Sequence, residues 1–595
     1  MRTIALGLML ALATAGSAPA QTDGCTAPAC AAVRGERPAG WPAQSRAEVM
    51  ASRGMVTSSH PLATQAGLSI LRQGGNAVDA AIASAAVLGV VEPMSTGMGG
   101  DMFMLYWSAK EGKLYALNAA GRAPSGATAD HYASLGYQAD PANWGIGSGF
   151  PEAGILTVTV PGAVWGWEQA LKRFGTRDFR TVLAEAHRLA VDGFPVSERV
   201  AAYWQVPLAL PLRACCTAPD PESQRVWLPG GKPPKAGEIF RNPDLAKALA
   251  VVQQGGAVAF YTGPIAAAIV KRSTELGGTM MMADLAGYRG AWVDPVTIRH
   301  AGYEIHELPP PSQDWGALVM LNVLDACMPR WAPGQTLASL GPANPRYWHF
   351  LIEAKKRAYA DLLAFNADPV AARVPIERLL SRAHAEAQCA KVDPNRAADT
   401  APMLAKERES DTVVLSTADD AGNMVALVQS NASDFGSGIT VPGWGIMLHN
   451  RGVQFTLDRA SPNLIAPGKQ PYHTLAAGFV TQAGMPVMSL LLMGGDMQAQ
   501  GHAQVLVNML HLGANQQMAT DMARFRHNQV TNTLTLEAPL FQRVGAALAR
   551  MGHRLGPPSS GGVGGYQSIR VDQTAGGRVY RAGSDHRKDG QAAGW

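Results

Sequence analysis

The segment Glu409–Ser430, ESDTVVLSTADDAGNMVALVQS, constrains the fold more than any other stretch of this chain. Its halves TVVLSTA and MVALVQS are rich in β-branched and apolar residues, and DDAGN between them supplies turn residues. This pattern predicts two strands joined by a turn centred on Ala421. A regular antiparallel hairpin with that centre places Thr412 opposite Ser430, with their Cβ atoms about 5 Å apart. Two hydroxyl groups therefore face each other in the middle of the chain.

The peptide bond before Thr412 determines what these hydroxyls can do. If the chain is cut there, Thr412 gains a free α-amine beside its own hydroxyl, which makes a nucleophile and its base in one residue. An α-amino pKa of about 7.7–8.0 suits a base at neutral pH. The polar run LAKERESD at 404–411 precedes this bond. Its composition fits an ordinary surface loop, and it also fits an accessible processing site.

Acyl transfer also needs hydrogen-bond donors for the oxyanion that develops on the substrate carbonyl. The segment MSLLLMGGDMQAQ places Gly494 and Gly495 between an apolar strand and a polar helix start. Consecutive glycines allow backbone N–H groups to approach a ligand closely, although many such pairs form simple turns. The pair is therefore a candidate oxyanion hole.

Length and composition indicate a large, well-buried globular protein. The chain has 595 residues, of which 47% are hydrophobic and 16% charged, enough for one large or two ordinary domains. The formal net charge of +4 is small for this length, so the chain does not have the electrostatic character of a nucleic-acid-binding protein.

The first 20 residues have the pattern of a secretory signal. Arg2 precedes the apolar run IALGLMLALA, and Ala18 and Ala20 occupy the small-residue positions before a cleavage site. The run is too short to span a bilayer, and no later segment looks transmembrane. We expect a cleaved signal over residues 1–20 and a periplasmic or secreted mature protein; an uncleaved anchor is the alternative.

Six cysteines are available in what we expect to be an oxidising compartment. Their number permits disulfides, but the sequence leaves the pairing open, and structural or loop cysteines are the simplest interpretation. Their spacing does not resemble a metal site, and we expect no metal and no organic cofactor. The six are Cys25, Cys30, Cys215, Cys216, Cys327 and Cys389.

The first well-patterned unit runs from Gly54 to Trp107. It predicts a short strand, a helix that opens with proline and ends at GGN, an Ala-rich buried helix, and a Gly-rich loop leading into an apolar strand. Farther along, PKAGEIFRNPDLAKALAVV and GALVMLNVLDAC have helical patterns.

From about Gly54 to Trp595 the chain resembles the γ-glutamyltransferase family of N-terminal-nucleophile hydrolases. Within that family it is most similar to the branch with acylase-like and oxamate-hydrolase-like members that lack the lid loop. The blocks that carry the resemblance are SSHPLATQAGLSILRQGGNAVDAAIA, GMGGD, GRAPSGAT, GYEIHELPPPSQ, DTVVLSTADDAGNMVALVQSN, FGSGITVPGWGIMLHNRG, KQPYHTLAAG, LLMGGDMQAQGH and GSDHRKDG.

The resemblance implies an α/β protein whose core is a four-layer αββα sandwich. It also implies that the precursor cleaves itself between Asp411 and Thr412. The large subunit, 21–411, and the small subunit, 412–595, would then stay together and act on a small-molecule amide. No nucleic acid is implied as a partner, and no membrane after removal of the signal.

The resemblance also implies roles for single residues. Thr412 is the nucleophile, Ser430 is the hydroxyl that contacts it, and Gly494 and Gly495 form the oxyanion hole. Arg122 lies about two positions after the family's carboxylate-binding arginine. The residues implied to bind substrate are Arg122, Asn431, Gln454, His473 and Thr474.

Three departures from the family pattern bear on the substrate. Ala432 stands where typical members have an asparagine, and Gln454 stands where typical members have an aspartate that binds the substrate's α-amino group. Glutamine keeps a hydrogen-bond acceptor but removes the charge that favours an ammonium. The loop from Phe455 to Lys469 is shorter than the usual lid. These changes weaken the case for a γ-glutamyl donor and favour hydrolysis over transfer.

Three functions therefore stand open. The first is a self-processing periplasmic γ-glutamyltransferase or glutathione hydrolase that cleaves γ-glutamyl amides through a Thr412 acyl-enzyme. The second is an amidohydrolase or acylase for another small carboxylate-bearing acyl group, oxamate-like or glutaryl-like. The third is an uncleaved, non-enzymatic secreted binding protein, which is conceivable because Val413 and Val414 replace polar residues common after the nucleophile.

Overall fold

The predicted hairpin lies in the middle of a seven-stranded sheet. A computed structural model describes residues 43–139, 147–204, 220–400 and 412–595. The predicted signal at 1–20 and the predicted cleavage residue Asp411 lie outside these residues. So do four of the cysteines: Cys25, Cys30, Cys215 and Cys216.

The described residues contain these strands: β1 Val49–Ala51, β2 Met55–Ser58, β3 Asp101–Ser108, β4 Lys113–Ala119, β5 Phe194–Pro195, β6 Ile239–Phe240, β7 Ala291–Val293, β8 Val296–His300, β9 Tyr303–Glu307, β10 Val413–Ala418, β11 Met424–Ser430, β12 Thr440–Val441, β13 Ile446–Met447, β14 Gly478–Gln482, β15 Met485–Leu492, β16 Phe525–Asn528, β17 Thr533–Leu536, β18 Arg554–Leu555, β19 Tyr566–Thr574, β20 Gly577–Ser584 and β21 Gln591–Gly594.

They also contain these helices: α1 Pro61–Arg72, α2 Ala77–Val91, α3 Ala129–Ser134, α4 Ala163–Phe174, α5 Phe179–Val182, α6 Ala184–Asp192, α7 Glu198–Trp204, α8 Pro221–Trp227, α9 Pro243–Thr262, α10 Pro264–Glu275, α11 Met282–Ala286, α12 Trp315–Trp331, α13 Leu337–Leu340, α14 Pro345–Phe365, α15 Ile376–Leu379, α16 Arg382–Cys389, α17 Met497–Leu510, α18 Gln516–Asp521, α19 Ala538–Leu540 and α20 Ala546–Arg550.

The hairpin has the predicted register. Its antiparallel pairs run from Val413 opposite Gln429 to Ala418 opposite Met424. The same register, continued by one residue, brings Thr412 opposite Ser430. Turn chemistry sets this register because the Asp419 side chain accepts a hydrogen bond from the backbone N–H of Asn423 at 3.0 Å.

Two antiparallel sheets form the centre of the molecule. Sheet I contains the hairpin and has the strand order β21-β2-β10-β11-β3-β4-β7. Sheet II has the order β1-β20-β19-β15-β14-β9-β8. The two sheets pack face to face through a buried apolar layer to which both contribute, for example Val414 of sheet I and Leu491 of sheet II.

The strands of sheet I alternate between the two faces, as a period of two residues requires. In β10, Val413 and Leu415 pack with the helices on one side. Val414 and Ala418 pack against sheet II on the other side. Both sets are buried, so the strands show continuous apolar runs in the sequence.

Helices cover the outer face of each sheet. Helices α1, α2 and α4–α11 contribute to the apolar cluster on sheet I, and α12–α20 contribute to the cluster on sheet II. The predicted Ala-rich helix is α2, and every residue of it is buried. The order helices, sheet, sheet, helices confirms the predicted four-layer αββα sandwich.

Strands from both sides of the 411–412 bond alternate within the sheets. In sheet I, β10 lies between β2 and β11, and β11 lies between β10 and β3. The ladder between β11 and β3 contains seven residue pairs, from Met424–Trp107 to Ser430–Asp101. A cut at 411–412 would therefore leave two pieces joined by shared sheets and a common core.

Two local features differ from, or add to, the sequence interpretation. The helical pattern assigned to 234–252 is wrong in its first part, because α9 begins at Pro243, capped by the Asn242 side chain. Residues before it form the short strand β6.

Cys327 and Cys389 form a disulfide that links α12 to α16, with Cα atoms 5.4 Å apart.

No helix within the described ranges is both long enough and apolar enough to cross a membrane.

The junction between α2 and the loop after α4 depends on one buried carboxylate. Asp79 accepts hydrogen bonds from the backbone N–H groups of Asn76, Thr176 and Arg177, at 2.9, 2.9 and 3.1 Å. We expect Asp79→Ala to lower the free energy of unfolding by about 3 kcal/mol, because these donors lose their acceptor in the protein interior. Chemical denaturation measures this.

Asp130 is a matched control, because it also stands in the first turn of a helix but its side chain is 83% exposed. Asp130→Ala should change the free energy of unfolding by less than about 0.5 kcal/mol. Equal losses in the two variants would contradict the role given to Asp79.

Candidate active site

Thr412 and Ser430 lie at one end of the buried hairpin. Both residues have no exposed surface. Thr412 is two residues before Val414, Ser430 is two residues after Val428, and both valines face sheet II. Because side chains alternate between the two faces of a strand, Thr412 and Ser430 also lie on the face of sheet I that packs against sheet II. The Ser430 hydroxyl accepts a hydrogen bond from the backbone N–H of Ala432 at 2.7 Å. This bond holds the chain as it turns out of β11.

Asp101 connects the hairpin to the neighbouring segments. It is the first residue of β3 and stands opposite Ser430 in the ladder. One carboxylate oxygen accepts a hydrogen bond from the Gly121 N–H at 2.8 Å. The other lies 3.1 Å from His473 Nε2 and 3.3 Å from His449 Nδ1. The Nε atom of Arg451 is 3.7 Å from this second oxygen.

We call Asp101, His449, Arg451 and His473 the Asp101 cluster, and burial affects the ionisation of three of them: Asp101, Arg451 and His473. Burial alone would raise the pKa of Asp101, but attraction to His449 and hydrogen bonds from His449 and His473 hold that pKa well below its usual range. Burial lowers the pKa of Arg451 to about 10, so the guanidinium remains charged at neutral pH. Burial and the Arg451 charge lower the pKa of His473 to about 3, so its imidazole is neutral.

The Asp101 cluster is linked to the glycine pair by two side chains. Arg451 Nη1 donates to the Thr474 hydroxyl at 2.8 Å. Gln313 Nε2 donates to the Thr474 carbonyl at 2.7 Å and to the Gly495 carbonyl at 2.8 Å. This chain of contacts brings Ser430, Asp101, Thr474 and Gly495 to the same end of the sandwich.

Gly494 and Gly495 lie between β15 and α17, as the sequence predicts. Their φ angles are +120° and +57°, a region that favours glycine. A Cβ atom on Gly494 would lie 3.0 Å from the Gly564 Cα atom. Within the described chain, the two backbone N–H groups donate no hydrogen bond, so they are available to an oxygen of a bound molecule.

The structure brings some predicted binding residues together and separates another. His473 and Thr474 both contact the Asp101 cluster. Asn431 is buried next to Ser430, and its side-chain amide donates to the Pro93 carbonyl at 3.3 Å. Gln454 ends a short 3-10 turn that begins at Arg451.

Arg122 points away from this group. Its guanidinium donates to the carbonyls of Arg289 and Gly468 and lies 3.6 Å from Asp368. Only its backbone is near the Asp101 cluster, through the neighbouring Gly121. The buried arginine that does contact Thr474 is Arg451.

The sequence interpretation assigned no role to Asp101, His449, Arg451 or Gln313. All four lie inside blocks that carried the family resemblance, namely GMGGD, GIMLHNRG and GYEIHELPPPSQ. For Asp101, His449 and Arg451, the signal that could have identified them is a charged or imidazole side chain in a block made mostly of glycine and apolar residues. Gln313 stands in a more polar block and offers no comparable signal.

The short loop after Gln454 folds back on the protein. Phe455, Leu457 and Ile465 pack in an apolar cluster with Tyr132 and Phe150. The Lys469 ammonium donates to the Leu464 carbonyl at 2.8 Å, which closes the loop on itself.

Two buried groups contain residue types that could ligate a metal: His349, Glu353 and His553, and also Glu307, Asp314 and His502. In the second group, burial raises the pKa of both carboxyls well above the usual range. His502 Nε2 accepts from the Leu492 N–H at 3.2 Å. This group therefore supports the end of β15, next to the glycine pair.

The pH dependence of stability should reveal the buried His473. Its pKa is about 3 in the folded protein and about 6.5 when unfolded, so between these values only the unfolded state binds the proton. The stability that depends on a neutral His473 is therefore fully present above about pH 6.5 and is lost as the pH falls toward 3. We expect His473→Gln to reduce the slope of the free energy of unfolding against pH by about 1.4 kcal/mol per pH unit between pH 6 and 4. Denaturation at several pH values measures the slope.

His187→Gln serves as the control and should leave the slope unchanged, because the His187 side chain is partly exposed on α6 and forms no ion pair with the described residues. An identical slope in wild type and His473→Gln would show that His473 does not stay neutral in the fold.

Comparisons with known proteins agree with this geometry. Residues 63–595 match the model of the gamma-glutamyltranspeptidase family. The chain is 32% identical to the glutathione hydrolase-like YwrD proenzyme of Bacillus subtilis, over 92% of this chain and 99% of the relative. It is also 32% identical to the oxamate amidohydrolase proenzyme of Klebsiella pneumoniae, over 85% and 91%.

A solved structure shares the fold over nearly the same length. The crystal structure of cephalosporin acylase from Bacillus halodurans superposes with a TM-score of 0.84 at 36% sequence identity. The match covers 94% of this chain and 99% of that one. The acylase-like and oxamate-hydrolase-like affinity expected from the sequence blocks is thereby confirmed.

Proposed function

Because this chain belongs to the gamma-glutamyltranspeptidase family, we propose that it is a self-processing amide hydrolase whose nucleophile is Thr412. The chain is an enzyme of the N-terminal-nucleophile hydrolase type, since its relatives and structural neighbours over almost all its length are such enzymes. The observation that carries the proposal is the position of Thr412 opposite Ser430, at the end of the sandwich that also holds Gly494 and Gly495.

Processing would proceed at the Asp411–Thr412 bond. The Thr412 hydroxyl oxygen attacks the Asp411 carbonyl carbon, the C–N bond breaks, and the acyl group moves from nitrogen to oxygen. Water then hydrolyses the ester and leaves a carboxylate on Asp411 and a free amine on Thr412. The proenzyme names of the relatives support this maturation. The sheets shared between 21–411 and 412–595 would keep both pieces together.

Turnover would use the amine that processing creates. The Thr412 amine takes the hydroxyl proton while the oxygen attacks the substrate amide carbon. The N–H groups of Gly494 and Gly495 stabilise the resulting oxyanion. The amine then returns the proton to the leaving nitrogen, and the C–N bond breaks. Water adds to the acyl ester in a second round and releases the acid.

Arg451 is suited to bind a carboxylate on the acyl group. Its Nη2 atom is buried and makes no hydrogen bond with the described residues, while Nη1 holds the Thr474 hydroxyl. A buried donor without a partner is costly, so a substrate oxygen there would be stabilising. In this proposal Arg451 takes the carboxylate-binding role that the resemblance suggested for Arg122. His473 and Thr474 keep their predicted role beside it.

A γ-glutamyl amide such as glutathione is the leading substrate, with hydrolysis favoured over transfer to an acceptor. The name of the Bacillus relative supports a glutathione hydrolase-like reaction. The second candidate is an oxamate-like or glutaryl-like acyl amide, as the names of the Klebsiella relative and the acylase suggest. It is favoured by Gln454, which offers no charge to an α-ammonium.

The periplasm is the proposed location. The predicted signal at 1–20 directs export. The disulfide between Cys327 and Cys389 fits an oxidising compartment.

The processing step has a direct test in denaturing electrophoresis. Wild type should separate into two fragments, and Thr412→Ala should remain one full-length band with activity reduced at least about a thousandfold. Thr412→Ser should still be cut, because serine keeps the hydroxyl and the amine. Thr533→Ala, on the partly exposed strand β17, should behave as wild type. An uncut band in active wild-type protein would contradict self-processing.

Acyl specificity can be tested with anilides that share one leaving group. We expect glutaryl p-nitroanilide to be hydrolysed with a kcat/KM at least about tenfold above valeryl p-nitroanilide, because Arg451 supplies a buried cation. Equal rates would rule out the carboxylate site.

Gln454→Asp should raise the preference for γ-glutamyl over glutaryl p-nitroanilide several-fold, since it restores a charge for the ammonium. Glycylglycine added to the γ-glutamyl assay measures transfer.

A further inference from the structure

Three side chains that can ligate a metal meet among the helices outside sheet II. His349 and Glu353 lie one turn apart on α14, and His553 lies between α20 and β18. All three are buried, and each offers one nitrogen or oxygen atom within 4.8 Å of the atoms offered by the other two. His349 and His553 are 204 residues apart, so the group has no short spacing typical of a metal site, and the sequence alone led us to expect no metal.

The hydrogen bonds of the two imidazoles suit a pair of metal ligands. His349 Nε2 lies 2.9 Å from the Asp393 carbonyl oxygen, which can only accept, so Nε2 carries the proton and Nδ1 has a lone pair. Ligating histidines hold their second N–H against a carbonyl in the same way. His349 Nδ1 lies 2.9 Å from His553 Nε2, which donates its proton in this arrangement. If that proton moves to His553 Nδ1, both facing nitrogens can bind one ion.

Burial keeps these imidazoles in the form that binds metals. It lowers the pKa of His349, and burial together with the Lys356 charge lowers the pKa of His553 to about 2. Both side chains are therefore neutral at neutral pH, so no proton has to be removed from a charged imidazole before an ion binds.

Glu353 gives an independent indication of a ligand. Its Oε1 atom lies 2.9 Å from the Lys356 ammonium and accepts a hydrogen bond from the Ala398 N–H at 3.3 Å. Its Oε2 atom is buried and has no hydrogen-bond partner among the described residues. A buried oxygen without a partner is destabilising, and an ion bonded to it would compensate. The contacts on Oε1 fix the carboxylate, as neighbouring groups do for carboxylate ligands in metal sites.

Two imidazole nitrogens and one carboxylate oxygen favour a transition metal. They are a ligand set of zinc, whereas Mg²⁺ and Ca²⁺ prefer oxygen ligands. Zinc bonds of about 2.0–2.2 Å separate tetrahedral ligands by about 3.3–3.5 Å, so the gap between His349 and His553 would open by about 0.5 Å. The Lys356 charge opposes any cation and the Glu353 charge offsets it. The group therefore favours an ion that bonds strongly to nitrogen over one held by charge alone.

The second buried group, Glu307, Asp314 and His502, does not offer the same ligands. His502 Nδ1 lies 3.0 Å from Glu307, and His502 Nε2 accepts from the Leu492 N–H at 3.2 Å. Because an accepting Nε2 has no proton, the proton of the neutral imidazole is on Nδ1. Both nitrogens of His502 are already used within the protein.

We propose that His349, Glu353 and His553 bind one Zn²⁺ or a similar divalent transition-metal ion. Binding itself does not depend on cleavage of the chain. His349 and Glu353 belong to 21–411 and His553 belongs to 412–595, so after cleavage the ion would hold one piece to the other. That structural role rests on the proposed function.

The test is zinc binding to wild-type protein that is purified without a histidine tag and freed of metal with a chelator. We expect titration with ZnCl₂ to show one strong site per chain, and His553→Gln to raise its Kd at least about tenfold. Zinc should raise the thermal unfolding temperature of wild type and leave that of His553→Gln nearly unchanged, because an ion that binds only the folded state stabilises it.

His306 on β9 provides the matched control, because its two nitrogens are hydrogen-bonded to the Thr297 and Thr481 hydroxyls, both at 2.8 Å. His306→Gln should bind zinc with the wild-type Kd. Equal Kd values in wild type and His553→Gln would show an adventitious ion only and would overturn the proposal. Folded wild type that binds no zinc would overturn it as well.

Crystals of wild type grown with ZnCl₂ locate the ion without any substitution, should His553→Gln fail to fold. Anomalous scattering at the zinc absorption edge should give a peak within bonding distance of His349, Glu353 and His553. Zinc peaks at other places alone would exclude this site.

The uncut Thr412→Ala protein separates failure of this inference from failure of the proposed function. It should bind zinc as wild type does, because all three ligands are present in one chain. If wild type stays uncut but its zinc affinity depends on His553, the site is supported and the processing is not. If wild type is cut, zinc should raise the urea concentration at which the two fragments separate, and no change would exclude the structural role.

Discussion

The buried carboxylate of Asp101 is the interaction on which the site depends. A charge with no exposure must be compensated by neighbours, and Asp101 draws them from several parts of the chain. It is paired in register with Ser430, bonded to the Gly121 N–H, and close to His449, Arg451 and His473. These residues precede and follow the 411–412 bond, so one ion cluster aligns the hairpin with the segments that surround the nucleophile.

The arrangement of charge around the glycine pair suggests how substrates are selected. Arg451 is enclosed in the protein, and two of its nitrogens, Nε and Nη2, make no hydrogen bond with the described residues, whereas Lys588 and Arg199 line an open cleft beside Gly494. Buried N–H donors can discriminate strongly, because a substrate that lacks a matching acceptor leaves them without a hydrogen bond. An exposed cation contributes less and is screened by salt. In the proposed function the acyl group is therefore selected through Arg451.

Several parts of the fold follow from local patterns in the sequence. The hairpin register depends on a turn sequence and a two-residue period, which act over neighbouring residues, and it was predicted correctly. The helix α1 begins at a proline and is followed by Gly74 with φ +80°, so both of its ends were visible. The start of α9 was misplaced, because an apolar run was followed back through Phe240 past the Asn242 cap. The family resemblance was needed to predict the four layers.

The sequence by itself determined the Thr412–Ser430 hairpin, the glycine pair and, through its ordered blocks, the family. Only the tertiary structure decided which arginine reaches Thr474. Arg122 and Arg451 have the same chemistry, and their difference lies in which partners enclose them after folding. The sequence likewise did not predict the cleft beside Gly494, because residues near 199, 526, 561–564 and 588 meet there from four separate segments. Local sequence patterns carry local geometry, whereas contacts between distant segments depend on how the two sheets and their connections pack.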